Sequence, residues 1–209
     1  MSAPFFERSN NMSAVGKVCT GFSLPYVAKY AASGGTVTYS DGQRLARGVS
    51  VSVAPDSSDN NDFYADNVKA ESVSGVFTGG TVTLTVDGLL PDAEKLIFGL
   101  PTASTVSSVS VYEYGDDAVP PYMGIGFIAR YMSDGVTTYK VIVLTKCKFN
   151  LPTDEAATQE DQIAWQTQSL EASIMRDDTA DHNWKYVGVT EYTTEALAEA
   201  DLKKLLSIA

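Results

Sequence analysis

The chain has 209 residues, of which 44% are hydrophobic and 20% charged, a balance that is ordinary for a soluble globular protein of one domain. Its formal net charge of −11 argues against a classical nucleic-acid binder, because such proteins carry a basic face that neutralises phosphates. No apolar run is long enough to cross a bilayer, and the first residues do not read as a secretory signal. We therefore expect a protein made in a cytoplasm, with Cys19 and Cys147 as reduced thiols.

The first 20 residues show no sustained period, and we interpret them as an N-terminal arm on a single domain that spans 21–209. The Phe5-Phe6 pair within this arm is apolar for a free tail. It either packs onto its own domain or docks on a neighbouring subunit, and the sequence leaves both possibilities open.

Turn signals divide the next part of the chain into short strands. Gly34-Gly35 and Asp41-Gly42 are typical of hairpin turns, because both pairs tolerate positive φ angles. Strands are predicted over 22–30, 36–39, 43–53, 68–72 and 81–87. The segment 55–67 is predicted as a long acidic loop; it lacks the glycine and the closing glutamate of an EF-hand, so we expect no metal site there.

Two of these strands alternate aliphatic residues with small hydroxyl residues. Val49, Val51 and Val53 alternate with serines, and the strand over 81–87 repeats the pattern with threonines, so the aliphatic side is predicted to be buried. Strands that face bulk water usually carry more Lys, Glu and Arg. A small hydroxyl face suits a surface that something slides past or close packing, although a plain exposed face is an equal alternative. The hydroxyl residues are Ser50, Ser52, Thr81, Thr83 and Thr85.

A short helix and a long hairpin follow. Pro91 at the start, acidic residues in the first turn and Gly99 at the end predict a helix over 91–99. A further strand is predicted within 102–114. Asp134-Gly135, set between two apolar runs, predicts a hairpin over 120–149. Ile142 and Leu144 interrupt the polar face of its second strand, so that face needs cover from another layer of structure or from another subunit.

The C-terminal part begins with a polar loop over 150–162 and is predicted to continue with strands over 163–175 and 184–190. A helix over 194–207 is predicted, with Thr193 or Thr194 as its cap and an apolar stripe that includes Leu197, Leu202 and Leu206. The predicted elements make the chain mainly β.

The sequence shows no arrangement of residues that is typical of a catalytic site. His182, the single histidine, is expected in a solvated loop, and no serine or cysteine is marked out as a nucleophile beside it. There is no phosphate-binding glycine motif and no cluster of metal ligands. We expect neither an enzyme nor a cofactor.

Several stretches occur in an order that matches one family. They include Gly21-Phe22 through Tyr26-Val27-Ala28, the run 43–51, Asn-Asp-Phe-Tyr-Ala-Asp-Asn at 61–67 with Ala70-Glu71, the run 83–89, and 116–127 together with Lys-Cys-Lys-Phe at 146–149, Pro152 and Gln166-Thr167. This ordered set resembles the major tail protein, the tail tube subunit, of long non-contractile-tailed phages of Gram-positive bacteria. The chain departs from the family in its polar N-terminal extension and in Met123-Gly124.

The resemblance implies a fold of two packed antiparallel sheets, sandwich-like or barrel-like, with flanking helices at about 91–99 and 194–207. It also implies a structural virion protein, made in the host bacterial cytoplasm, whose hexameric rings stack into the tail tube around the tape-measure protein. Tail terminator and distal tail proteins are the other implied partners. Double-stranded DNA would pass through the tube without tight binding, helped by an acidic chain that repels phosphate. No membrane is involved.

This reading gives roles to two groups of residues. The hydroxyl residues Ser50, Ser52, Thr81, Thr83 and Thr85 are candidates for the luminal face. The candidates for subunit or ring contacts are Phe5, Phe6, Asp59, Asp62, Phe63, Tyr64, Ile142 and Leu144.

Two other functions remain open at this point. One is an adhesion or carbohydrate-binding β-sandwich of a phage tail, for which Tyr112, Tyr114 and Tyr122 would supply the sugar-stacking rings. The other is the tube protein of a tail-like secretion device, which shares the architecture and differs in genomic context.

Overall fold

The computed structural model describes residues 16–154, 156–158 and 165–208, so Phe5, Phe6 and part of the predicted 150–162 loop lie outside the described residues. The prediction of a mainly β, antiparallel fold with two helices is confirmed. The strands are β1 (Val18–Ser33), β2 (Thr36–Arg44), β3 (Gly48–Ser57), β4 (Asn61–Ala65), β5 (Val68–Val73), β6 (Phe77–Val86), β7 (Ser104–Val106), β8 (Val109–Val111), β9 (Tyr122–Ser133), β10 (Val136–Phe149), β11 (Gln168–Met175) and β12 (Lys185–Val187), and the helices are α1 (Pro91–Phe98) and α2 (Glu195–Leu205).

Eight strands form one large sheet in the order β2-β1-β9-β10-β11-β6-β3, with β12 on β10. The sheet folds back on itself. As a result, Val51 and Val53 of the edge strand β3 pack on the buried cluster that contains Phe127 of β9 and Ile142 of β10. Two layers therefore arise from one continuous sheet, a sandwich-like arrangement. Two smaller sheets, β4-β5 and β7-β8, lie outside it.

The main core fills the space between the two layers. Its largest fully buried side chains include Phe149, Leu84 and Leu170 from three neighbouring strands, and Phe98 and Ile97 of α1 pack into the same cluster. Burying each side chain of this size contributes about 1.5–3 kcal/mol, so the hydrophobic alternation of these strands stabilises the fold.

Helix α2 covers the outer side of β1, β9 and β10. Leu202 and Leu206 are fully buried there. Gly126 of β9 makes this close approach possible, because a Cβ atom at that position would stand 2.5 Å from Leu202 Cδ1. The predicted helix boundaries at both helices are confirmed to within two residues, with Thr194 as the residue before α2 and Gly99 in a left-handed conformation after α1.

The long hairpin over 120–149 is confirmed as β9 and β10, and its turn residues Asp134 and Gly135 have φ angles of 48° and 77°. The prediction that Ile142 and Leu144 contact another subunit is wrong. Ile142 is 9% exposed and Leu144 is fully buried, because the folded-back sheet of the same chain covers them. The opposite side of β10, at Val141 and Val143, lies under α2.

The predicted turn at Asp41-Gly42 is wrong. These residues lie inside β2, where one extra residue forms a bulge against β1 and Asp41 takes a φ angle of 52°. The chain bends instead at the buried Leu45 and Ala46, which interrupt the predicted 43–53 strand and carry the chain from one edge of the sheet to the other. Val49, predicted to be buried, is 54% exposed because it forms a second bulge opposite β6.

The predicted acidic loop over 55–67 is also wrong. β3 continues to Ser57, and the chain then forms the hairpin of β4 and β5 around Asp66-Asn67, both with positive φ angles. Several other strand boundaries differ from the predicted ones. β1 begins at Val18 inside the predicted arm, the predicted strand within 102–114 is the β7-β8 hairpin, and β11 and β12 are shorter than predicted.

Candidate functional site

The five hydroxyl residues predicted for a luminal face lie together on one side of the sheet. Ser50 stands opposite Thr85 and Ser52 opposite Thr83 across the β3-β6 pairing. The serines are exposed and the threonines are half-buried, while the alternate residues Val82, Leu84 and Val86 are fully buried in the core. Strand β11 widens this hydroxyl face with Ser169, Glu171 and Ser173, which are exposed and pair with the same threonines.

The sequence-based prediction of the hydroxyl face did not include any residue of strand β11. Its alternation of Ser169, Glu171 and Ser173 with buried aliphatic residues carries the same signal as β3 and β6, and this pattern could have identified it. Only the pairing of β11 with β6 shows that the three strands form one continuous surface.

An acidic cleft of about 570 Å³ borders the hydroxyl face. Thr83 and Glu171 belong to both surfaces, and Asp87 and Asp154 add carboxylates on the cleft side. The hydrogen bond from Arg47 Nε to Asp87 Oδ2, 2.5 Å long, lowers the pKa of Asp87 below its ordinary value. Asp87 is neutralised by Arg47, whereas Glu171 and Asp154 make no ion pair among the described residues and repel phosphate groups.

Among the paired strands of the described chain, those of the β4-β5 hairpin have the most exposed large apolar side chains. Phe63, Tyr64, Val68 and Val73 are each more than 60% exposed. No residue of this hairpin belongs to a buried hydrophobic cluster among the described residues. Four of the predicted contact residues lie on or next to it, namely Asp59, Asp62, Phe63 and Tyr64.

The two sides of this hairpin differ in chemistry. On one side Asp62 accepts a hydrogen bond of 2.5 Å from Ser72 Oγ and stands 2.7 Å from Lys69 Nζ. Both contacts lower the pKa of Asp62, and the contact with Lys69 has the larger effect. The strand register pairs Asn61 with Val73, Phe63 with Glu71 and Ala65 with Val68 on the other side. This side is therefore apolar apart from Asn61 and the carboxylate of Glu71. We name the surface of Phe63, Ala65, Val68 and Val73 the apolar hairpin face.

The three tyrosines considered for sugar stacking do not form one platform. Tyr114 donates a hydrogen bond of 2.6 Å to Glu94, and its ring contacts Phe98 at 6.3 Å between centroids. Tyr112 packs against the main core. Tyr122 lies on β9, where the ammonium groups of Lys146 and Lys148 stand 4.7 and 5.9 Å from its ring centroid.

Residues with catalytic chemistry are dispersed. His182 is exposed in the loop before β12, as expected, and Cys147 is fully buried, which raises the pKa of its thiol. Among the described residues no three His, Cys, Asp or Glu side chains stand close enough together to hold a metal ion. None of the described helices is long and apolar enough to cross a membrane.

Comparison with known proteins adds no family to this description. No protein-family model matches the chain, and no curated protein matches it.

Proposed function

We propose that this protein is a structural subunit that assembles with copies of itself into stacked hexameric rings, forming the tail tube of a phage. The observation that carries the proposal is the β4-β5 hairpin, whose apolar side has no cover from the described part of its own chain. The sequence resemblance to tail tube subunits supplies the ring and tube geometry.

The hairpin favours a contact with another protein on physical grounds. An isolated two-stranded ribbon is marginally stable in water, and it gains stability when its apolar side is covered. Phe63 and Val73 are 63% and 68% exposed, so their burial against a partner would release ordered water from two large side chains.

The hydroxyl face suits the wall of a conduit. It combines short side chains, which form no pocket for a ligand, with Glu171 and the carboxylates of the neighbouring cleft. A phosphate backbone that passes this surface meets few hydrogen-bonding cations and a repulsive field. We assign the luminal role to this face, with tape-measure protein during assembly and DNA afterwards as its occupants.

The remaining roles follow from the same proposal. The protein would belong to the virion, would meet the tail terminator and distal tail proteins at the two ends of the tube, and would carry no enzymatic activity. The sugar-binding alternative is disfavoured by Tyr112 and Tyr114, whose rings are engaged within the chain.

Electron microscopy and sedimentation of the purified chain test the proposal. We expect rings of about six subunits or tubes above a critical concentration, following the geometry that heterologous contacts generate. Replacing both Phe63 and Val73 by serine should raise that concentration by about tenfold or more, whereas Val189→Ser, at a residue that is 94% exposed, should change it little. A chain that stays monomeric under all conditions and is retained by a sugar column would contradict the proposal.

A further inference from the structure

The apolar hairpin face carries one charged side chain. Glu71 stands directly opposite Phe63 and shares its side of the hairpin, and it is exposed. It has no ion-pair partner among the described residues, in contrast to Asp62 on the other side, which is held by Lys69. A partner that covers this face must therefore offer apolar contact together with a cation for Glu71, because a carboxylate covered without a partner is costly.

The chain itself offers a surface of that kind on β1 and β9. Helix α2 covers this side of β9 only as far as Ile128, and the next two residues on the same side are Arg130 and Met132. Val18 of β1 pairs directly with Met132, and these two apolar side chains are 66% and 38% exposed. The guanidinium of Arg130 is exposed and makes no ion pair within the part of the chain that the structure describes.

The two surfaces are complementary in charge. The segment 56–73 contains five carboxylates and one lysine, so its formal charge is −4, and it would be repelled by most of a chain whose net charge is −11. Arg130, which lies next to the exposed pair of Val18 and Met132, offers the attraction that the hairpin needs. Guanidinium groups also match carboxylates in a paired hydrogen-bond geometry that lysine does not reproduce.

We infer that the apolar hairpin face of one copy docks on the Val18, Arg130 and Met132 surface of a second copy, with Glu71 paired to Arg130. This contact joins two different surfaces of the same chain, so it repeats from copy to copy and extends an assembly. The inference rests on the proposed function and names the contact through which the subunits associate.

A charge exchange tests the pairing. Glu71→Arg and Arg130→Glu should each raise the critical concentration for assembly by about tenfold or more, because each places two like charges face to face. The double variant E71R/R130E restores opposite charges and should return the critical concentration to within about threefold of the original value. Sedimentation velocity measures all four proteins, and circular dichroism establishes that each variant is folded.

The matched control is D116R/R130E, which has the same net charge as the exchanged pair but changes the exposed Asp116 in a loop instead of Glu71. It should assemble as poorly as Arg130→Glu alone. Recovery in this control, or no recovery in E71R/R130E while the unchanged chain forms tubes, overturns the pairing and leaves the proposed function standing. An unchanged chain that never assembles overturns both.

Discussion

Helix α2 and the β4-β5 hairpin are two additions to the same sheet, and they treat their apolar residues in opposite ways. Leu202 of the helix and Leu206, the residue directly after it, are completely buried against β9 and β10 of the same chain. The hairpin leaves Phe63, Val68 and Val73 more than 60% exposed. Apolar surface stabilises a fold only when it is removed from water, so the helix stabilises the fold of its own chain, and under the proposed function the hairpin would bury its apolar side against a second copy.

The polar contacts of the two elements follow the same division. Glu199 of α2 accepts a hydrogen bond of 2.6 Å from the hydroxyl of the buried Tyr26 and stands 3.1 Å from Lys203 Nζ. The bond from Tyr26 attaches the helix to β1, whereas Lys203 lies on the helix itself and holds the Glu199 carboxylate in place. In the hairpin, the pair of Asp62 and Lys69 joins β4 only to β5, so it stabilises the ribbon without attaching it to the core.

The largest expected effect lies at the helix. Leu202→Ala should lower the free energy of unfolding by about 2–5 kcal/mol, because it leaves a cavity at a fully buried site. Leu197→Ala, on the same helix at a residue that is 55% exposed, should change it by less than about 0.5 kcal/mol. Urea unfolding under dissociating conditions measures both. Equal effects would mean that α2 is not docked on its own sheet.

Substitutions on the apolar hairpin face should affect assembly strongly and the stability of the monomer only slightly. Phe63→Ser together with Val73→Ser is expected to change the free energy of unfolding of the monomer by less than about 1 kcal/mol, since neither side chain belongs to a buried cluster among the described residues. The same urea titration measures this, beside the assembly assay. A loss as large as that of Leu202→Ala would show that the hairpin is packed within the monomer.

A smaller effect is expected on acidification. The hydrogen bond from Tyr26, followed by that from Lys203, lowers the pKa of Glu199 below its ordinary value of 4.5. Its contribution to stability is therefore present above about pH 4.5 and is lost as the pH falls through the lowered pKa. Unfolding midpoints between pH 7 and pH 3 should fall less in Glu199→Gln than in the unchanged chain. Asp116→Asn, at an exposed loop residue, should follow the unchanged chain.

The smallest effect on stability is expected on the hydroxyl face. Ser52→Lys should alter the free energy of unfolding by less than about 0.5 kcal/mol, because Ser52 is exposed on an edge strand. Assembled tubes of this variant should nevertheless retain duplex DNA more strongly at low salt, and the gain should vanish as salt is raised. Val189→Lys serves as the control outside this face, and equal retention by both variants would contradict the luminal assignment.

Local patterns predicted the parts of the fold that local chemistry controls. The Asp134-Gly135 turn and the glycine end of α1 are predicted correctly, because each depends on neighbours within a few residues. The apolar stripe predicted for α2 is right for Leu202 and Leu206, which are buried, and wrong for Leu197, which is 55% exposed. The Asp41-Gly42 pair carries the same turn signal and forms a bulge instead. Pairing of β2 with β1 on both sides of it keeps the strand running, and this tertiary constraint outweighs the dipeptide preference.

The candidate site divides in the same way. The order of residues within each strand shows which ones alternate, so the hydroxyl side of β3 and β6 is predictable without knowledge of their pairing. It also marked Ile142 and Leu144 as apolar residues in need of cover. The folded chain was needed to show that the folded-back sheet supplies that cover and that 61–73 is a two-stranded ribbon with one apolar side. The physical reason is that alternation is encoded between adjacent residues, whereas burial depends on which distant strands the chain brings together.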